Sequence, residues 1–427
     1  NFNTGNFIFN TNSNGLGTTS IGIGVTTTAT VGTATTITIG GVGIGTTETF
    51  NGTIRGLSYY PNTLTTTQVN NLSASNGNVV LGNNQFAYTV RIPTVGTGYT
   101  LLTNNSGSYN YNVSWGDGTV TNGITTNNPT HTYTNAGVYN VIVTQNSGSF
   151  YFYNNNDSTQ GPLVTGVVGN GSSFGWNSSL KYAWYGCSNL TFLSKINSSK
   201  VADISYGWFG CSSLTSFPAI DTSNVTTLSN SWYFCSSLTS FPLLNTSIVT
   251  NFNSSWRVCS SLTSFPQINT SNGTSFSYAW QNCSSLSSFP QINTSNGTDF
   301  SNAWQGCNSL TSFPSITFGG AGATNPIFTN TWQNCSKLSS FPTGAFNSCT
   351  GSTNYTSAWT GCGLTSGSIE NILTSIVSSG ATINTPFPGN IGLNSGTNAA
   401  YSTWTTNAQN ALSILVGAGW TVSYNTP

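Results

Sequence analysis

The segment INTSNGTSFSYAWQNCSSLSSF, Ile268 to Phe289, returns 24 residues later as INTSNGTDFSNAWQGCNSLTSF, Ile292 to Phe313. Within it the pattern W-x-x-C recurs eight times along the chain. The pairs are Trp184/Cys187, Trp208/Cys211, Trp232/Cys235, Trp256/Cys259, Trp280/Cys283, Trp304/Cys307, Trp332/Cys335 and Trp359/Cys362. The first six are 24 residues apart and the last two steps are 28 and 27. A fixed period of this size is the sequence signature of a stacked repeat architecture. Four residues before each Trp stands another large apolar group: Leu180, Ile204, Leu228, Phe252, Phe276, Phe300, Phe328 and Tyr355. Apolar positions at i, i+4 and i+7 lie on one face of a helix. Each unit is therefore expected to hold a short strand, a turn built on NTSN and a short helix.

One such unit cannot bury its apolar face alone. Stacking the units sets Trp on Trp, Leu on Leu and Phe on Phe in one continuous core. At a strand-like rise of roughly 4.8 Å per unit, eight units make a rod about 38 Å long. Pro218, Pro242, Pro266, Pro290, Pro314 and Pro342 each follow a Phe. Proline has no N–H to give a ladder, so the strands here must be very short. The predicted fold class is mostly β and multidomain: β-sandwich modules followed by a leucine-rich-repeat-like solenoid of short strand plus short helix per 24-residue turn.

The units DTSNVTTLSNSWYFCSSLTSF (Asp221 to Phe241) and INTSNGTSFSYAWQNCSSLSSF resemble the BspA-like leucine-rich repeats of bacterial and phage surface proteins. The resemblance covers residues 180–365, with Trp where those repeats usually carry Phe. It implies a solenoid used for adhesion. Residues 366–427 are expected to cap it. Ile369, Ile372, Leu373, Ile376 and Val377 suit an amphipathic helix, and a second helix near Thr405 to Val416 leads to a strand around Trp420, Val422 and Tyr424.

Upstream, Tyr109, Tyr111, Val113 and Trp115 alternate before a WGDGT turn, and Tyr139, Val141 and Val143 alternate after THTYTNAG. This period-two pattern predicts a small β-sandwich over residues 84–150. WGDGT (Trp115 to Thr119) with HTYTNAGVYNVIV (His131 to Val143) resembles PKD-type immunoglobulin-like domains, which implies a spacer or adhesion module. Residues 151–179 read as a linker or as the N-terminal cap of the repeats. Within residues 1–78, the segment Asn51 to Ala74 resembles the end of a concanavalin A-like, laminin-G-type lectin domain. The chain starts at Asn1 rather than Met, and its numbering is expected to begin inside a processed or longer protein.

Composition limits the chemistry. Only seven residues are Lys or Arg and seven Asp or Glu, which is 3% of the chain and a net charge of zero. No basic footprint for nucleic acid is present, and no apolar run approaches a membrane span. With few charges to screen, binding is expected to be insensitive to salt.

Stacked thiols of adjacent units stand too far apart for disulfides, so the Cys column is expected to be reduced and buried. Cys349, off the column, is expected to be exposed. No cofactor or metal site is expected, since one Cys per turn and a lone His supply no ligand cluster. His131 could in principle join Asp117 in a Ser–His–Asp arrangement, but a β-module residue and a turn residue explain both. Asp221 reads as a turn residue, and Asp203 and Asp299 as caps of the expected helices.

The informative columns are those that vary. The residue after each Trp runs Tyr185, Phe209, Tyr233, Arg257, Gln281, Gln305, Gln333, Thr360. Tyr185, Phe209, Tyr233 and Arg257 form the candidate binding stripe, because aromatics and Arg dominate binding hot spots. The stripe could instead pack against the preceding β module. The function these signals favour is non-enzymatic adhesion or display at the surface of a phage virion (tail fibre, receptor-binding or decoration protein), with a bacterial cell-surface adhesin as the alternative. A glycan-degrading enzyme is the alternative of another class, but the carboxylates are scattered. The partners expected are a host or virion surface protein or a glycan, with a homo-oligomer allowed by the composition, and the location is extracellular.

Overall fold

A computed structural model describes residues 6–9, 57–60, 81–104, 108–155, 157–176, 178–320, 325–352, 354–380 and 389–426. Their architecture is mostly β, with 22% of residues in strands and 9% helical, including two α-helices. The short strands β1 (Asn6–Phe9) and β2 (Leu57–Tyr60) pair antiparallel. The rest of the segment that resembles a lectin domain lies outside the described residues.

The β module is built from β3 (Gln85–Ile92), β4 (Gly98–Thr100), β5 (Tyr109–Ser114), β6 (Val120–Ile124), β7 (Thr130–Thr132) and β8 (Gly137–Gly148). The segment read as a linker or cap adds β9 (Val164–Asn170), and the repeats add β10 (Phe192–Leu193). One six-stranded sheet runs β10-β9-β3-β8-β5-β6, and β4 pairs with β7 separately. The central strand β3 alternates little, because Phe86 to Val90 are all buried. β9 carries Gly166 where any Cβ would stand 2.0 Å from the Phe192 ring, so the close approach of β10 requires glycine there. The β module and the repeats share one core: Phe86 meets Trp176 at 4.9 Å, and Trp176 meets Trp184 at 6.3 Å.

In the repeats the expected helix does not form. Leu180 to Cys187 instead makes consecutive turns, closed by Ala183 N–H to Leu180 O and Cys187 N–H to Trp184 O. The third residue of each turn, Tyr182 or Gly186, is left-handed, at φ 59° and 75°. Positive φ at this place is the signature of a type II turn. The alternate N–H groups of Leu180, Tyr182, Trp184 and Gly186 donate to Asp203, Ser205, Gly207 and Phe209 of the next repeat. A helix would have turned those donors inward along its own axis. The turns spend them on the neighbour, and parallel bridges join Ser179, Asp203, Thr227, Asn251, Ser275, Asp299 and Ile327 in succession.

The Asp residues read as helix caps follow the same correction. Asp203 and Asp299 accept from the N–H two residues on, as Asn251 does, and so close turns. Asp221 makes the same bond to Ser223, as Asn245 does to Ser247. Along the Leu–Thr–Ser–Phe–Pro segments the expected strands reduce to single rungs, such as Thr239 N–H to Thr215 O and Thr263 N–H to Thr239 O. Proline ends the ladder after each rung.

The end of the chain continues the ladder with other means. β11 (Asn354–Tyr355), β12 (Asn390–Leu393) and β13 (Thr421–Tyr424) pair in parallel. Helix α1 (Ser366–Ser378) starts at Thr365, whose side chain accepts from Ser368 N–H, and α2 (Thr406–Gly417) starts at Thr405 in the same way. The two helices pack on each other, burying Ile369, Ile372, Leu373 and Ile376 from α1 and Ala408, Leu412 and Leu415 from α2. No helix of the described residues is long and apolar enough to cross a membrane.

Candidate functional site

All eight repeat Trp residues are fully buried and stacked, with ring centroids 5.2 to 5.8 Å apart. Phe rings from the turn segments meet them edge-on, as Phe241 meets Trp232 at 4.7 Å and Trp256 at 5.2 Å. Beside them run the thiols. Each from Cys211 to Cys307, and also Cys335 and Cys362, donates to the carbonyl of the preceding repeat's Trp, as Cys211 does to Trp184 O at 3.2 Å. All nine cysteines are free and buried. Burial pushes the thiols of Cys283 and Cys335 up to about 12, so they stay protonated and unreactive near neutral pH.

Cys349 is buried as well, contrary to its expected exposure. Its insertion makes its own turn, with Cys349 N–H donating to Phe346 O, and the Phe346 ring packs on Phe318 and Phe328.

With the core columns inside, the residue after each Trp lies half-buried at the surface, except Gln281, which is buried. Tyr185, Phe209, Tyr233 and Arg257 are all half-buried. Tyr185 lies flat on Phe209 at 4.4 Å and 2°, and Phe209 meets Tyr233 at 4.7 Å. The Arg257 guanidinium sits 4.9 Å over Tyr233 and 4.8 Å over Tyr278. Tyr185 and Phe209 each cover one face of the other, Phe209 and Tyr233 meet edge to face, and the Arg257 guanidinium covers a face of Tyr233.

A second column, absent from the sequence reading, lies alongside. Two residues before the Trp stand Tyr182, Tyr206 and Tyr278, and Tyr182 stacks on Tyr206 at 4.9 Å. Tyr185 and Phe209 lie 6.1 and 6.0 Å from Tyr206, so the columns merge into one aromatic face. Phe234 extends it and is 49% exposed. The signal was present in the variation of that column, where Tyr replaces the Asn of Asn230, Asn302 and Asn330.

The segment between the β module and the repeats meets the first rung, where Tyr153 packs edge-on to Tyr182 at 5.6 Å and Asn154 Nδ2 donates to Tyr185 O. Within the first repeat itself, Lys181 Nζ lies 5.4 Å over Tyr182. Next to Tyr153 is an open depression of about 430 Å³, lined by Thr103, Asn128, Asn155 and Asp157 among others. Asp157 is already engaged, accepting from Thr159 and Gln160.

His131 and Asp117 do come together, 2.7 Å apart. The contact uses His131 Nε2, which also lies 3.5 Å from Thr119 Oγ1, while the ring stacks on Trp115 at 5.0 Å and meets Tyr133 at 4.6 Å. A catalytic triad needs the carboxylate on one ring nitrogen and the nucleophile on the other. Here acid and hydroxyl share one nitrogen, and the pair clasps the WGDGT turn to β7. Burial opposes ionisation of Asp117, but hydrogen bonds from Thr119 and His131 outweigh it and hold the carboxyl below its usual range. Among the described residues no three His, Cys, Asp or Glu side chains group closely enough to hold a metal ion. No family model, curated protein or solved structure matches the chain.

Proposed function

We propose that the chain is a non-enzymatic adhesion or display protein of a virion surface, a tail fibre, receptor-binding or decoration protein. In this reading residues 180–365 are a BspA-like leucine-rich-repeat solenoid behind a PKD-like module, and the aromatic face around Tyr185, Phe209, Tyr233 and Arg257 meets a host surface protein or glycan. One observation carries the binding role. Tyr182, Tyr206, Phe234, Val258 and Tyr278 hold φ between 58° and 66°, at positions where other repeats use Asn, Ser or Gly. Bulky residues in this region are strained, and all five lie in the first five repeats, which carry the aromatic face. Strained residues that persist mark functional surfaces.

Replacing Tyr185, Phe209 and Tyr233 together by Ser tests it, with attachment to a panel of bacterial cells and cell-wall glycans as the readout beside thermal melting. Lost attachment in a folded variant supports the reading. Unchanged attachment removes the face from consideration.

A further inference from the structure

The column that holds Arg257 continues as a chain of amides. Gln305 Nε2 donates to Gln333 Oε1, and Gln281 Nε2 donates to Gln305 Oε1. At Arg257 the chain stops. Gln281 is only 6% exposed, and its Oε1 has no donor. Arg257 Nε is likewise buried with no acceptor, and no hydrogen bond joins the two. A glutamine at 257 could give its Nε2 hydrogen to Gln281 Oε1 and extend the chain by one rung. The sequence places an arginine there instead, and Gln281 Oε1 and Arg257 Nε are both left buried and unmet. Buried polar groups are almost always paired, and a local rule broken without structural gain is expected at functional positions.

What the arginine gains is a fixed, unneutralised cation. It lies over the ring of Tyr233 from the preceding repeat and that of Tyr278 from the next, and these contacts pre-organise the guanidinium fork. The one ion pair among the described residues is His131 with Asp117, so none of the described carboxylates lies within 4.0 Å of Arg257. Nε is sealed, whereas neither Nη nitrogen of this half-buried side chain is buried without a partner.

We propose that Arg257 is an oxyanion-binding residue that takes a carboxylate or phosphate group of a surface polymer on its Nη edge. Planar two-point hydrogen bonding to such groups is the particular strength of arginine. The proposal rests on the reading of this face as a binding surface and names what it binds.

The chain has three arginines, Arg55, Arg91 and Arg257, so side-chain Nε–H resonances of arginine-labelled protein are few, and Arg257→Gln assigns the one concerned. The probes are a glucuronic-acid disaccharide, its neutral methyl ester, and glycerol phosphate. The Arg257 resonance is expected to move with the acidic sugar, the phosphate or both, which separates the two sources, and to stay still with the ester. Arg257→Gln is expected to bind the effective probe at least about tenfold more weakly while melting at or above the parent. An ester that shifts the resonance as strongly as the acid overturns the proposal. So does unchanged binding in Arg257→Gln, or no response to either anion. A variant that melts well below the parent removes the amide-chain argument. If Arg257→Gln still attaches to cells like the parent while the triple Ser variant does not, the oxyanion role falls and the binding face stands. If the parent attaches to nothing, the broader reading falls.

Discussion

Truncating one indole in the middle of the Trp column tests how the repeats hold together. Trp256 has no solvent exposure and stacks on Trp232 and Trp280 at 5.6 and 5.5 Å, with Phe241 and Phe265 edge-on at 5.2 and 4.7 Å. Trp256→Ala deletes these four ring contacts and a fifth to Phe252 at 6.4 Å, and opens a cavity, for an expected loss of about 3–5 kcal/mol. The aromatic geometry itself supplies part of that, at about 0.5–1.5 kcal/mol per pair. One term acts the other way. Nε1 of Trp256 has no hydrogen-bond partner, and a buried donor left unmade costs about 1–3 kcal/mol. Trp256→Phe keeps a ring in the stack and removes that donor, so its net cost should be only about 0–2 kcal/mol. Each repeat touches only its neighbours, so the Ala variant should unfold in two steps on either side of the gap. Urea titration followed by near-ultraviolet circular dichroism reads both the midpoint and the number of steps. An Ala variant that unfolds like the parent would mean that the column is not what joins the repeats. A Phe variant as unstable as the Ala variant would refute the argument from the unmet N–H.

Three further outcomes are expected. Val258 is β-branched at φ 61° where Asn282 and Asn334 stand in later repeats, so Val258→Asn should raise stability by about 1 kcal/mol; an unchanged or lowered urea midpoint would contradict the strain assigned there. The nine thiols should resist iodoacetamide in the native chain and all react after unfolding without reductant, whereas rapid native labelling would place them outside the core. Because the folded Asp117 carboxyl sits below its ordinary range, its contribution is present above the unfolded pKa and is lost as pH falls through the folded one. Acid unfolding of the β module should therefore lose part of its pH dependence in Asp117→Asn, and identical acid curves would sink that assignment.

The repeat, its stacked columns and the two terminal helices were legible because period and apolar spacing are properties of the sequence itself. The helix expected at each Trp was not real, and the reason is physical. Leu180, Trp184 and Cys187 satisfy helical spacing, yet two consecutive turns place the same three side chains inward. The discriminating residue was the second after each Trp: Gly186, Gly210, Asn282, Gly306, Asn334 and Gly361 recur there. Glycine is costly inside a helix, whereas glycine and asparagine suit a left-handed turn position. Phe234 and Val258 hid the rule by breaking it, at the rungs around which the aromatic face gathers. Cys349 was misplaced for a similar reason, since Phe346 and Cys349 repeat the Trp-x-x-Cys spacing with Phe in place of Trp and so bury the same way. In the variable column the letters Arg257, Gln281, Gln305, Gln333 could be read, but not that three of them join in one amide chain. That depends on side chains meeting at the repeat rise, and only the geometry shows the chain ending one rung short. The unmet atoms of Gln281 and Arg257 therefore turn a variable letter into a chemical question. Arg257→Gln asks it with a side chain that the scaffold is already shaped to accept.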